Sequence, residues 1–379
     1  MPRAGYDDVV LVTGFPSLSA RRLCEELLRE RGAHAGRAGG TLVHAIVRSK
    51  FADEAIAALD GMAPEERSRV NLIEGDATSM DLGLSGPEFL GLAREVDRIH
   101  HVVQVSYPGV DAKTAAHVNV GSAREILEFA EACESLRCLV FHSTAHVSGD
   151  REGRVFEDEL EAGQSFRNVG EETQALAEKV VREAMKRLPI AVVRPSIVVG
   201  DSTTGEVEHF DGPYLLILLI LTSPADFTLP LPGRGEMPLN LVPVDYVVRA
   251  AQAIGKSEGA IGKTFHLVDP APLSVRKVFE LVARAAGRPA PPGFIPANLT
   301  KALLRTPGLR RFVKSPRALL ETLGTDVTYD HANADETLSG LSIRCPPFES
   351  YVERLVHFAQ ERLRQKHARS EAEVHDPLG

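Results

Sequence analysis

Short apolar runs alternate with helical patterns along the first half of this chain, and that alternation constrains the fold more than any other feature. Val9–Val12, Thr41–Val47, Val70–Ile73, Ile99–Val103, Cys138–Phe141 and Ile190–Val193 each read as a strand. The first of these, Val9–Val12, is apolar throughout rather than alternating, as expected for a strand covered on both faces. Helical spacing fills the intervals, notably Arg21–Arg31 with Leu23, Leu27 and Leu28 on one face, Ala123–Cys133, and Glu171–Arg187. Strand and helix in turn predict βαβ units, and so an α/β protein built on a Rossmann-type doubly wound parallel sheet.

Past Pro195 the regularity falls and proline- and glycine-rich segments set in. The chain has 379 residues, enough for one large domain with a smaller appendage. The expected layout is a dinucleotide-binding domain over 1–200, with 239–269 returning to it, and a smaller substrate-side region over 201–238 and 270–349. An amphipathic docking helix over 350–367 carries Tyr351, Val352, Leu355, Val356 and Phe358, and a polar, flexible tail follows over 368–379. Leu215–Leu221 is an unbroken aliphatic run, far too short to span a bilayer. It reads as a buried helix or, functionally, as a wall for a long apolar substrate.

A net charge of -9 argues against a nucleic-acid surface, which needs clustered positive charge. The four cysteines form no CxxC and no metal-like cluster with histidine, so no metal site is expected and the thiols read as reduced. The N-terminal residues lack the apolar core of a signal peptide, and a cytoplasmic location is expected.

The chemistry-bearing motifs sit at the ends of strands. Thr13-Gly14-Phe15-Pro16-Ser17-Leu18 follows the first strand, a turn that sets backbone N–H groups and a helix dipole against a pyrophosphate. Asp76-Ala77 follows the third strand, where a carboxylate suits an adenine amine. Asn119 opens a helix, Phe141–Gly149 closes a strand around Thr144, and Arg194–Asp201 closes another, with Pro195, Ile197 and Val198. With Asp81–Ser85 and Val242–Tyr246, these pieces resemble the extended short-chain dehydrogenase/reductase family, in the branch of thioester reductase domains and fatty acyl-CoA reductases. The resemblance runs from about Val9 to Phe358. It implies an NAD(P)-dependent reductase acting on a small apolar or acyl-type molecule. Arg48, with Lys50 just beyond, would pair with a 2′-phosphate and favour NADP(H) over NAD(H). Thr144 would polarise a substrate carbonyl, and Asn119 takes the family's helix-asparagine place.

The departures from that pattern are specific. Where the turn usually has three glycines, this chain has Gly14, Ser17 and Ala20, and the Ser17 Cβ intrudes on the pyrophosphate. Val103 and Gln104 replace small residues beside the cofactor. Six tyrosines are present, and none has a lysine four residues on. The family's Tyr and Lys positions hold Gly170 and Gln174. A phenol with a pKa near ~10 is a poor proton donor at neutral pH until an ammonium one helical turn away lowers it. Both halves of that device are missing. His142 and His146 flank Thr144, and continued strand alternation would put all three on one face, making His146 the candidate substitute acid. Two readings stand. One is a silent or impaired reductase-like protein that binds a dinucleotide weakly and acts through its ligand or a protein partner. The other is an active NADPH-dependent reductase with a substitute acid. In the first, returning the tyrosine and the lysine together, as Gly170→Tyr with Gln174→Lys, is expected to recover turnover.

Overall fold

In the computed structural model the central sheet has seven strands: β1 (Asp8–Thr13), β2 (Thr41–Val47), β3 (Val70–Glu74), β4 (Arg98–His101), β5 (Cys138–His142), β6 (Ile190–Pro195) and β7 (Thr264–Leu267). All neighbours are parallel, in the order β7-β6-β5-β4-β1-β2-β3. The structure describes residues 5–29, 39–107, 109–208, 210, 213–222, 231–232, 235–289, 294–295 and 326–375. Residues 30–38, 223–230, 290–293, 296–325 and the last four lie outside them, and with them much of the substrate-side region expected over 201–238 and 270–349, as do the side chains of Leu215, Leu216 and Leu219.

Backbone contacts divide the chain into two units. The first takes Met1–Ser196, Asp245–Val268 and Thr328–Arg344, and the second the remainder. In the first unit every residue of β1 and of β6 is buried, as continuous apolar strands require when both sheet faces are covered. Leu11, Ile99, Phe141, Ile126, Phe129 and Val181 form the core between the sheet and its helices.

Several boundaries differ from the sequence expectation, two of them beside the site, and one strand is additional. β4 stops at His101 instead of Val103, because the Val102 N–H turns to the Thr13 side-chain oxygen at 3.2 Å. The first helix starts at Leu18, capped by Ser17, rather than at Arg21. β7 is only four residues long and carries a buried histidine at its centre, too weak a pattern to read as a strand.

Helix Val169–Ala184 is fixed to the sheet by a buried ion pair. Glu178 and Arg194 are both essentially inaccessible, with Arg194 Nη2 and Nε at 2.6 and 3.0 Å from the two carboxylate oxygens. Arg182 Nε and the Ser143 hydroxyl add further donors at 2.8 and 2.6 Å. Burial works to raise the Glu178 pKa, but the two guanidinium charges and the hydroxyl outweigh it and the net shift is downward.

The late segment Thr328–Arg344, expected on the substrate side, returns to this first unit. The Asp330 N–H donates to Val155 O, and the Glu157 carboxylate accepts from the N–H groups of His266, Asn333 and Ala334 at 2.8, 2.6 and 3.3 Å. Glu157 thus caps helix Ala332–Leu338 from across the chain.

The second unit pairs Ile197–Val199 with Leu241–Pro243 and Leu231–Pro232 with Phe294–Ile295. Its helices Pro213–Thr222, Val275–Ala285 and Val352–His375 contribute Tyr214, Ile217, Phe279 and Leu355 to one apolar core, joined by Tyr351 just before the last of them. The last of these helices continues past residue 367, into the stretch expected to be a tail. The core encloses a cavity of about 20 Å³ between Ile217, Ile220, Leu239, Phe279 and Leu355, roughly one water's worth. Among the described residues no helix is long and apolar enough to cross a membrane.

Glu157 makes stability depend on pH. Desolvation raises its pKa to about 7, against the three N–H donors that favour the charged form. A raised folded-state pKa gives stability that is fully present below the unfolded carboxyl value of 4.5 and is lost as pH rises through about 7. Urea midpoints of the wild type should therefore fall across that window. Glu157→Gln, which loses an acceptor but cannot ionise, should start lower and show a flatter slope. Parallel slopes for the two proteins would rule the linkage out.

Candidate functional site

The sheet order reverses between β1 and β4, the place where open α/β sheets leave a crevice beyond their C-terminal edge. Gly14 turns the chain there with φ of +87°. A Cβ on it would lie in ordinary contact, 3.4 Å from Val102 C and Val103 N, so it is the positive φ rather than space that favours glycine in the turn. Beneath it a hydrogen-bonded chain joins β1 to β4 and to helix Ser122–Ala132. Thr13 Oγ1 meets His101 Nδ1 at 3.0 Å, and His101 Nε2 meets the Ser122 hydroxyl at 3.1 Å. Ser122 gives its own proton to Val118 O, so His101 donates from Nε2 and accepts at Nδ1. Burial, with His142 nearby, lowers the His101 pKa to about 3, and the ring stays neutral.

Phe15, Pro16 and Leu18 are buried in the turn. Ser17 caps the helix, its N–H bonded to Gly14 O at 3.0 Å and its Oγ accepting from Ala20 N at 3.4 Å. Ser17, whose Cβ the motif sets against the pyrophosphate and whose hydroxyl is also a donor to a phosphate, thus has a structural task as well.

Arg48 follows β2 and Asp76 lies just beyond β3, and the two meet, Nε to Oδ2 at 3.1 Å. The other Asp76 oxygen accepts from the N–H and hydroxyl of Thr78 at 2.9 and 2.7 Å. Ala77 is buried beside them. The Arg48 side chain is 44% exposed, so the pair is worth no more than ~0–1 kcal/mol and opens readily.

Beyond β4 and β5 the arrangement departs from the sequence expectation. β5 ends at His142, and Thr144 instead caps a 3₁₀ turn over Ala145–Ser148, its Oγ1 accepting from His146 N at 3.2 Å. Strand alternation therefore does not carry His142, Thr144 and His146 onto one face. His142 is buried against His100, Nε2 to Nδ1 at 3.2 Å. Burial, and secondarily Arg167, lower the His146 pKa to about 4, so at neutral pH it has no imidazolium proton to give.

Asn119 lies buried in a π-helical turn, His117–Gly121. It accepts from Val105 N at 2.8 Å and donates to Val105 O at 2.9 Å and Thr173 Oγ1 at 2.8 Å. This clamp fixes the segment after β4 against helix Val169–Ala184. There Gly170 is buried, and a Cβ on it would fall 2.8 Å from Ser106 Cα and 3.0 Å from Ser106 Cβ. The position that the sequence reading aligns with the family tyrosine is therefore closed by Ser106, not left open. Gln174 is buried too, its amide donating to His142 O at 3.3 Å. Val103 is half-buried and Gln104 exposed. Pro195 ends β6 buried, while Ile197 and Val198 lie on the short strand of the second unit. Tyr107 is exposed, and Tyr214 is buried with its oxygen accepting from Gly200 N at 2.8 Å. Sequence reasoning missed Val105 and Ser106, which belong to no motif and matter only through what their backbone touches.

Sheet order, switch point and glycine turn define a Rossmann-type, NAD(P)-binding protein of the extended short-chain dehydrogenase/reductase kind. The chain belongs to the male sterility protein family of NAD-binding domains, whose model matches residues 12–251. It is 25% identical over 288 residues to fatty acyl-CoA reductase wat of Drosophila melanogaster, covering 65% of this chain and 54% of that protein. It is 31% identical over 222 residues to glycine betaine reductase ATRR of Emericella nidulans, covering 56% of this chain and 17% of that one. It thus spans about half or less of the length of these relatives. The terminal R domain of the myxalamid PKS-NRPS pathway has the same fold, with a TM-score of 0.77 at 24% identity over 94% of this chain and 91% of that one. So has UDP-glucuronic acid 4-epimerase of Bacillus cereus, solved with NAD, with a TM-score of 0.66 at 18% identity over 93% and 97%.

The Gly170 contact has a direct test. Gly170→Ala should destabilise the protein by about 1–3 kcal/mol, because the Ser106 backbone must move. Gly91→Ala, on a helix with nothing within 4 Å of its new Cβ, should stabilise it by about 0.5–1 kcal/mol. Urea denaturation of both variants reads the difference, and a stabilised Gly170→Ala would remove the packing argument.

Proposed function

We propose that this chain is a nucleotide-binding protein on a reductase scaffold, taking NADP(H) in preference to NAD(H) and passing no hydride from it. The observation that carries the reading is the Ser106 backbone standing where a tyrosine Cβ would begin. Bound NADPH supplies hydride, and its transfer to a carbonyl needs a proton at the developing alkoxide. Gly170 has no proton to give, Gln174 has no charge with which to tune a phenol, and the neutral His146 is not a substitute acid at neutral pH. Thr144 keeps a hydroxyl that polarises but does not protonate.

The residues of the crevice's first half suit a dinucleotide. The Gly14 turn needs a φ of +87° that favours glycine, the helix behind it is capped by Ser17, and Arg48 offers a half-exposed guanidinium to a 2′-phosphate. An apolar or acyl-type molecule remains the second ligand class, by likeness to the fatty acyl-CoA reductases.

Two measurements test the reading. NADPH fluorescence titration should show binding, tighter than for NADH. NADPH consumption with a long-chain acyl-CoA or an aldehyde should be absent or about 10²–10⁴-fold below that of a family member with the tyrosine and lysine. Gly170→Tyr with Gln174→Lys should stay silent, since the phenol must displace Ser106, and this replaces the recovery expected from sequence alone. Robust wild-type turnover that disappears in His146→Ala would establish the active reductase instead.

A further inference from the structure

The two halves of the crevice are in opposite states. A Rossmann sheet binds a dinucleotide across its switch point, with one mononucleotide on each side. On the β1-β2-β3 side the groups facing a ligand remain accessible. Arg48 is half exposed and engages Asp76 through Nε, in a pair weak enough to yield to a phosphate. On the β4-β5 side the corresponding polar groups are already occupied within the protein. Asn119 has both amide ends bound by Val105 and Thr173, and Thr173 also gives its hydroxyl proton to Val169 O at 2.8 Å. Gln174 is turned to His142 O, and the space beside Gly170 is filled by Ser106. Thr144 Oγ1 accepts from His146 N and keeps its own proton to donate. The other contacts engage groups that a nicotinamide riboside would otherwise have to recruit. Breaking them would leave buried polar atoms unpaired.

Resting on the nucleotide-binding reading above, we infer that the ligand is recognised through its phosphoadenylate half alone, and that the nicotinamide riboside half adds nothing to affinity. The site then responds to adenylates bearing a 2′-phosphate whatever their redox state. NADP+, NADPH and adenosine 2′,5′-bisphosphate become equivalent ligands. Coenzyme A is the other common source of a phosphoadenylate, but its phosphate sits on the 3′ oxygen. The assignment here is to the 2′ isomer, because Arg48 follows β2, where the ribose 2′ position is read.

Isothermal titration calorimetry of the full chain decides it with four probes: NADP+, adenosine 2′,5′-bisphosphate, nicotinamide mononucleotide and coenzyme A. Adenosine 2′,5′-bisphosphate should match NADP+ within about threefold, less than the tenfold that 1.4 kcal/mol represents. Nicotinamide mononucleotide should neither bind nor compete. Arg48→Ala, a half-exposed site whose loss leaves the fold intact, should weaken both 2′-phosphorylated ligands by the same factor, about tenfold. NADP+ binding ten times more tightly than the bisphosphate would overturn the inference while leaving nucleotide binding in place. Preference for coenzyme A would overturn the 2′ assignment, and silence toward all four probes would overturn the nucleotide-binding reading itself.

Discussion

The buried pair Glu178–Arg194 is the contact on which the rest of the first unit depends. It joins the helix that bears Gly170 and Gln174 to strand β6, and Ser143 brings in the end of β5. Arg194 and Arg182 also hold the backbone carbonyls of Glu159, Asp158 and Glu157. Truncating either member of such a pair typically costs ~3–5 kcal/mol, because the other charge stays buried and unpaired. Helix, strand end and loop are therefore placed as one body. The bond that positions this helix is thus independent of what Gly170 and Gln174 do.

A glycine on a packed helix face leaves a hole unless something fills it, and a hole in a packed interior is unstable. Beside Gly170 the space is filled by the Ser106 Cα and Cβ. Asn119 holds Val105 from both its N–H and its C=O, and the next residue then packs on the glycine. Any larger side chain at Gly170 meets this backbone, so the glycine and the path of the chain after β4 depend on each other.

Much of the architecture was legible in the sequence. Short, mainly apolar runs marked six of the strands, and the parallel topology followed from strands alternating with helices. β7 escaped because it is only four residues long and half polar, with Thr264 and His266. Motifs singled out the Gly14 turn, Arg48, Asp76, Thr144, Gly170 and Gln174. What motifs omit is partnership. Nothing in the sequence says that Arg48 meets Asp76, that Thr144 caps a turn instead of extending a strand, or that Ser106 reaches Gly170. These contacts join residues far apart in the chain or depend on where a strand stops, and neither leaves a periodic trace.

The Glu157 cap carries a consequence for synthesis. Its partner Asn333 is encoded 176 residues later. At ribosomal speeds of ~5–20 residues per second, that separation corresponds to a delay on the order of ten seconds or more. Through that interval the sheet can assemble, but this carboxylate has no helix N-terminus to receive it and stays hydrated at the surface of a nascent domain. The first unit is thus begun early, and this fastening waits for a segment made much later.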